Sequence, residues 1–203
     1  MPDLVPISAL PPLQRLAQPG RHGLASGAPG VRVREITGRA VVQALVAPGG
    51  ERFFKPPSGQ AAGAGLPQPG KAQHTALGLL LWSGPGQYLV MSDGAAPADL
   101  IASTRECFGP VAALIDQSDS RAMLRLGGPR IRDCLAKGVA LDLHPSAFST
   151  GDCALTNIHH VSVQLWQIND APVYEMAFAR SYSASLWHWL EVSAAEYGLN
   201  VDA

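Results

Sequence analysis

Five of the histidines and cysteines in the second half of the sequence supply residue types that could be combined into a zinc site. They are Cys134, His144, Cys153, His159 and His160. Because adjacent residues of a strand point to opposite faces of a sheet, His159 and His160 do not reach one ion without a bulge. No carboxylate stands at ligand spacing beside them. The sequence therefore predicts no metal site and favours cysteines that are small buried apolar groups.

A serine, two aspartates and a histidine supply the residue types of a nucleophile, an orienting acid and a general base. Asp116 and Asp119 flank Ser118, and His144 lies downstream. A strained Gly-x-Ser-x-Gly turn, which exposes a nucleophilic serine, is missing around Ser118. We expect instead a tight turn in which the Asp and Ser side chains bond backbone amides.

Acid/base catalysis by paired carboxylates has no support in the sequence. The glutamates stand singly, at Glu35, Glu51, Glu106, Glu175, Glu191 and Glu196. The compact glycine motifs at 84–86 and 127–129 lack the Gly-x-Gly-x-x-Gly spacing of a dinucleotide site, and no Gly-Lys-Ser/Thr is present for a phosphate loop. The sequence thus nominates no catalytic and no cofactor-binding residue.

The charge balance and the apolar pattern exclude several classes of partner. The 203 residues contain 15 Lys and Arg against 16 Asp and Glu, a net charge of -1, with no basic run to follow nucleic acid or an anionic membrane. The longest apolar stretch, 76–82, is too short to span a bilayer, and no secretory signal precedes Arg15. We expect a cytoplasmic protein with three unpaired thiols, at Cys107, Cys134 and Cys153.

The first 70 residues combine an arm, two strands and a loop. Residues 1–30 are rich in Pro and Gly and predict an extended N-terminal arm, with a short helix at 12–18. The segments 31–37 and 40–47 predict a hairpin turned at Gly38 and Arg39. The stretch 48–70 is so rich in Gly and Pro that we expect a flexible loop, which is mobile or held by a partner.

The rest of the chain predicts strand pairs separated by single helices. Strands at 77–82 and 88–91 flank a turn, and Pro97 begins a helix that Gly109 ends. After this helix the sequence predicts two strands, at 111–115 and 120–126, and a short helix after Pro129. It then predicts a strand at 154–158 and a hairpin over 161–178. We therefore expect residues 31–203 to form one α+β domain with largely antiparallel sheets.

The last predicted helix, 181–197, places one tryptophan away from its apolar stripe. The residues that cluster on the stripe are Tyr182, Leu186, Trp189, Leu190, Ser193 and Tyr197. At 100° per residue, Trp187 falls about 110° from the centre of this stripe. Trp187 is therefore a candidate interface residue, since tryptophan anchors protein contacts; the alternative is that the N-terminal arm of the same chain covers it.

Several short stretches between residues 115 and 190 resemble one known family in their order and spacing. They are Ile-Asp-Gln-Ser at 115–118, Leu-Arg-Leu-Gly-Gly-Pro at 124–129, Leu-Asp-Leu-His-Pro at 141–145 and Arg-Ser-Tyr at 180–182. Together with the stretch at 82–90, they resemble the γ subunit of heterotetrameric sarcosine oxidase, a relative of the folate-binding domain of aminomethyltransferases. The family usually carries an acidic pair where this chain has Gly86 and Gln87.

The resemblance implies a subunit without a catalytic site. Its partners would be the α, β and δ subunits, which carry NAD and tetrahydrofolate, FAD and FMN, and zinc, respectively. The assembly would oxidise sarcosine to glycine, with hydrogen peroxide and formaldehyde or 5,10-methylenetetrahydrofolate as co-products. The alternative is an autonomous folate-binding one-carbon transfer module of the aminomethyltransferase type. Such a module needs an acid that grips the pterin ring, and the candidates are Asp116, Asp119, Asp142 and Glu175.

Overall fold

The computed structural model describes residues 10–58 and 65–203, which form twelve strands and three α-helices. The strands are β1 (Gly20–His22), β2 (Val31–Glu35), β3 (Arg39–Val46), β4 (Ala72–Thr75), β5 (Gly78–Gly84), β6 (Gln87–Asp93), β7 (Ala112–Asp116), β8 (Arg121–Gly127), β9 (Cys153–Ile158), β10 (Val161–Asn169), β11 (Val173–Ala179) and β12 (Leu199–Val201). The helices are α1 (Pro97–Phe108), α2 (Ile131–Ala136) and α3 (Ser183–Ala194). No helix in the described part of the chain is long and apolar enough to cross a membrane.

The strands form two sheets. The first has seven strands in the order β1-β12-β2-β8-β11-β10-β9, and the second has five in the order β4-β5-β6-β3-β7. All described pairings are antiparallel except that of β12 with β2. This arrangement confirms the expected α+β class with largely antiparallel sheets.

The sheets and helices stack in four layers. Helix α1 packs on one face of the five-stranded sheet through Leu100, Cys107 and Phe108. The other face of that sheet meets the seven-stranded sheet, where Met91 and Trp166 are buried. Helices α2 and α3 cover the far face of the seven-stranded sheet. Each sheet therefore buries apolar side chains on both faces, which explains the high hydrophobic content of the chain.

Local sequence signals place several elements correctly. Helix α1 begins at Pro97 and ends before Gly109, whose φ of 63° is in the region that favours glycine. Strands β5 and β6 form the expected hairpin, and β10 and β11 form another. These elements depend on turn and cap residues close to them in sequence, so their positions follow from local chemistry.

The hairpin predicted over 31–47 is wrong, although both strands exist. Strand β2 pairs with β12 and β8 in the seven-stranded sheet, whereas β3 pairs with β6 and β7 in the five-stranded sheet. Most of β3 is buried between two layers, while β2 leaves Arg32 and Arg34 exposed. The two strands therefore suit different sheet environments, and the turn at Gly38 carries the chain from one sheet to the other.

The N-terminal segment is more than an arm on the surface. Leu13 is fully buried in the core beneath α2 and α3, and its N–H donates to Glu35 Oε1 at 2.8 Å. Strand β1 extends the seven-stranded sheet through β12. Residues 11–17 form turns where a short helix was predicted, and residues 1–9 lie outside the described residues. Residues 10–30 thus contribute to both the core and the sheet.

The segment predicted as a flexible loop contains ordered contacts on either side of residues 59–64, which lie outside the described part. Residues Gly50–Phe53 form a 3-10 turn within the stretch that was expected to be a flexible loop. The ring of Phe54 contacts that of Phe108, with centroids 4.9 Å apart. An aromatic contact with α1 therefore holds the first part of the segment in place. The mobility of the segment as a whole stays a prediction.

Candidate functional site

Four charged side chains meet at the junction of the two sheets. Arg39 of β3 donates from Nη1 to Glu175 Oε2 at 2.6 Å and from Nε to Asp93 Oδ1 at 2.7 Å. Arg125 of β8 donates from Nε to Glu175 Oε1 at 2.8 Å. We call this group the charged cluster. It joins β3 and β6 of the five-stranded sheet to β8 and β11 of the seven-stranded sheet.

Strand register positions the members of the charged cluster. Arg39 lies opposite Asp93 in the β3–β6 pair, and Arg125 lies opposite Glu175 in the β8–β11 pair. Directly opposed side chains in antiparallel strands are close neighbours, so each strand pair brings one cation against one anion. The contact between Arg39 and Glu175 then crosses between the sheets.

Burial and hydrogen bonding set the charges of the cluster. The Glu175 side chain is 1% exposed and that of Arg39 is 7% exposed. The hydrogen bond from Arg39 lowers the pKa of Asp93, outweighing its partial burial. Burial alone would lower the pKa of Arg39, but its bonds to Asp93 and Glu175 raise that pKa overall. Both shifts favour the charged forms of Asp93 and Arg39, so these two side chains form an ion pair.

Open cavities flank the charged cluster on two sides. One of about 350 Å³ is lined by Gly78, Leu79 and Met91 together with the cluster itself. Another of about 630 Å³ lies towards the N-terminal segment and includes Pro11, Arg34 and Glu35. Glu175 has both carboxylate oxygens bonded to arginines, so it is not placed to transfer a proton or to grip a pterin ring. The cluster is suited to holding the two sheets together.

The other acids considered for folate are committed elsewhere or lie at the surface. Asp116 Oδ1 accepts the N–H of Ser118 at 2.9 Å, and Asp142 Oδ1 accepts the N–H of His144 at 2.9 Å. Asp119 is exposed in the turn before β8 and lines a cleft of about 230 Å³. None of the three reaches the charged cluster through a described contact.

Asp116 and Ser118, considered for a catalytic triad with His144, form a turn, as predicted. Ser118 Oγ accepts the N–H of Val41 at 3.0 Å, in addition to the bond between its own N–H and Asp116. His144 Nδ1 lies 2.7 Å from Ser146 Oγ. The serine and the histidine thus each bond neighbours in their own turns or the adjacent strand, and their described contacts do not join them to each other.

The histidine and cysteine set forms no metal site among residues 10–58 and 65–203. His159 lies in the turn after β9 with a φ of 52°. Burial raises the pKa of Cys134 to about 11 and that of Cys153 to about 12. Cys107 is buried as well, and all three thiols are unpaired. The thiols are packing groups, as the sequence indicated.

The prediction that Trp187 lies outside the core face is wrong. Its side chain is 4% exposed and belongs to the core that also holds Leu13, whereas Tyr182 of the predicted stripe is 44% exposed. Helix α3 buries a wider face than the predicted stripe, because the core that it packs into is formed by both the seven-stranded sheet and the N-terminal segment. In this chain alone Trp187 has almost no free surface for a partner, and its interface role stays an untested prediction.

Sequence reasoning missed the charged cluster because its members are far apart in the chain. One local signal was available. Glu175 falls between Tyr174 and Met176 in a strand whose other residues are almost all buried, and Arg125 similarly interrupts the apolar β8. A charge inside a buried strand requires a partner of opposite charge, but nothing in the local pattern identifies that partner.

Comparison with known proteins shows the family of this chain. Residues 50–196 match the model of the sarcosine oxidase, gamma subunit family. The chain belongs to this family. A sarcosine oxidase subunit gamma of Corynebacterium sp. (strain P-1) is 31% identical over 193 residues, which cover 92% of this chain and 90% of that protein. Its counterpart from Arthrobacter sp. is 30% identical over the same shares of the two chains.

Two solved structures share the fold of this chain. A chain of the heterotetrameric sarcosine oxidase from Corynebacterium sp. U-96, in complex with pyrrole 2-carboxylate, is similar with a TM-score of 0.71 and 22% identity. The match covers 93% of this chain and 96% of that one. The glycine cleavage system aminomethyltransferase T from Bartonella henselae gives a TM-score of 0.61 at 14% identity, covering 85% of this chain and 48% of that enzyme. Both likenesses concern the fold, and they confirm the expected architecture.

Proposed function

We propose that this chain is the non-catalytic gamma subunit of a heterotetrameric sarcosine oxidase. The complex would carry out flavin-dependent oxidative demethylation of sarcosine to glycine, with hydrogen peroxide and formaldehyde or 5,10-methylenetetrahydrofolate as co-products. The observation that carries the proposal is the family match over residues 50–196, together with gamma subunits that match along about nine-tenths of their length. The alpha, beta and delta subunits would be its partners.

The contacts of its polar side chains support a non-catalytic role. Glu175 is bound by two arginines, Ser118 and Asp116 bond backbone amides, and the three thiols are buried. These groups are occupied by structural bonds rather than directed together into a cavity. We therefore assign FAD, FMN, NAD, tetrahydrofolate and zinc to the partner subunits, and none of these cofactors to this chain.

A second candidate function is an autonomous folate-binding module. The likeness to aminomethyltransferase T favours it, since that enzyme shares the fold. Fold alone does not assign a ligand, and Glu175, the candidate acid that lines the cavity of about 350 Å³, has both oxygens engaged. The gamma subunit role is therefore the stronger proposal. We place the assembly in the cytoplasm, where three unpaired thiols stay reduced.

Co-expression of the tagged chain with its candidate partner chains tests the proposal. We expect a four-chain complex that produces peroxide from sarcosine, whereas the chain purified alone is colourless, inactive and does not bind tetrahydrofolate in equilibrium dialysis. Recovery of the tagged chain without partners, a flavin spectrum on the isolated chain, or tight folate binding by it would contradict the proposal.

Point variants in the assembled complex test the absence of a catalytic site on this chain. S118A and H144A remove the side chains that most resemble a nucleophile and a base, although their contacts are local. We expect both variants to leave kcat and KM for sarcosine within about twofold of the unmodified complex. A large loss in kcat at normal assembly would place a catalytic group on this chain.

A further inference from the structure

The seven-stranded sheet has an uncovered area beside the charged cluster. Val31 and Val33 of β2 face the core under α2 and α3, so Arg32 and Arg34 face the opposite side of the sheet. On that opposite side, Arg39 of the other sheet reaches Glu175 of β11, but Arg32 and Arg34 of β2 are exposed. The five-stranded sheet thus leaves this part of β2 open.

The uncovered area concentrates positive charge. Arg34 lies directly opposite Arg125 in the antiparallel register of β2 and β8, and like charges in that position repel each other. Glu175 is bound by Arg39 and Arg125, and Asp93 by Arg39. Within the described residues, the side chains of Arg32 and Arg34 form no ion pair and no hydrogen bond. The carboxylates of the cluster are therefore hydrogen-bonded to other arginines, and Arg34 interacts with Asp93 only at longer range.

A groove of about 380 Å³ lies over these arginines. Arg32, Arg34 and Arg125 line it, and Gly127, which lies opposite Arg32, contributes no side chain. Asp202 is the acidic side chain of the lining, and its Oδ1 accepts a hydrogen bond from Asn200 Nδ2 at 2.6 Å. We call this feature the arginine groove. Its lining side chains have three positive charges against one negative charge.

We propose that the arginine groove binds an acidic segment of another subunit of the complex. This inference rests on the proposed gamma subunit role, which supplies the partner chain. Charge complementarity selects the occupant, because guanidinium groups bind carboxylates with paired hydrogen bonds. The concentration of arginines is unusual for a chain in which only 15% of residues are charged. An acidic segment would relieve the repulsion between Arg34 and Arg125 on assembly.

Charge reversal of the two unpaired arginines tests the proposal in the full complex. We expect R32E/R34E to weaken assembly by about tenfold or more and to reduce the salt dependence of binding. The double variant should still fold, because R34E places a carboxylate opposite Arg125. The thermal midpoint of the free chain measures whether it does. R52E/R105E is the matched control: it makes the same change in net charge on two exposed arginines of the 3-10 turn and α1.

The outcomes separate this inference from the proposed function. If the unmodified chain assembles and R32E/R34E assembles equally well, or if R52E/R105E weakens assembly as much, the arginine groove has no such role while the subunit assignment stands. A photoreactive residue in place of Arg32 should cross-link to a partner peptide that contains several Asp or Glu residues. Cross-linking to a peptide without them would overturn the proposal. Saturable binding of inorganic phosphate that does not compete with assembly would assign the groove to a small anion instead.

Discussion

Arg39 and Glu175 form an ion pair between the two sheets, with Nη1 and Oε2 2.6 Å apart and 136 positions separating the residues in sequence. Both side chains are buried, and the second oxygen of Glu175 is held by Arg125. Removal of one partner from a buried pair leaves the other charge without compensation. The contact is therefore a point at which the packing of one sheet on the other can be tested.

The variant E175Q removes the negative charge while nearly preserving the volume of the side chain. We expect its free energy of unfolding to fall by about 3–5 kcal/mol, because Arg39 stays buried with only Asp93 as its anion. Urea denaturation measures the change. E106Q makes the same substitution at an exposed position of α1 and should change stability by less than about 0.5 kcal/mol. Equal effects of the two variants would show that the buried pair contributes little.

Asp93 should contribute to the acid dependence of stability. Its pKa in the folded chain is lowered by the hydrogen bond from Arg39, so the ionised form favours folding. This contribution is fully present above the ordinary pKa of 3.8 and is lost as the pH falls through the lowered value. D93N should therefore be less stable than the unmodified chain at about pH 6, and the difference should shrink towards about pH 3. D119N, at an exposed aspartate, is the control. If the difference in stability between D93N and the unmodified chain did not change with pH, the role assigned to Asp93 would be contradicted.

The three thiols should be inert in the folded chain and free after denaturation. Cys107, Cys134 and Cys153 are at most 5% exposed, and burial raises the pKa of each of them. Since the thiolate is the reactive form, alkylation should be slow in the native chain and should reach three equivalents in denaturant without reductant. S103C, on the exposed side of α1, should react rapidly and provides the reference rate. One equivalent in denaturant would indicate a disulfide.

Trp187 should stabilise the free chain. Because its side chain is buried in the core with Leu13, we expect W187A to lower the free energy of unfolding by about 3–5 kcal/mol. V192A, at a position on the same helix that is 60% exposed, should have little effect. If W187A left the free chain unchanged but impaired assembly of the complex, the tryptophan would be an interface residue after all.

Residues close together in sequence account for what could be predicted in detail. The ends of α1 at Pro97 and Gly109 follow from the restricted backbone of proline and the freedom of glycine. The turn at Asp116 and Ser118 follows from short polar side chains that bond nearby amides. These interactions form within a few residues, so their residue types are sufficient to identify them.

The sequence by itself determined most of the strands, the three helices and the unpaired state of the cysteines. Only the tertiary structure decided that β2 and β3 lie in different sheets, that Trp187 is buried, and that Glu175 meets Arg39. Hydrophobic periodicity reports how many faces of a strand or helix are buried, but it contains no information about which distant segment covers them. That choice depends on the packing of all layers together, because a buried charge or an indole is stabilised by whichever residues the whole fold places beside it.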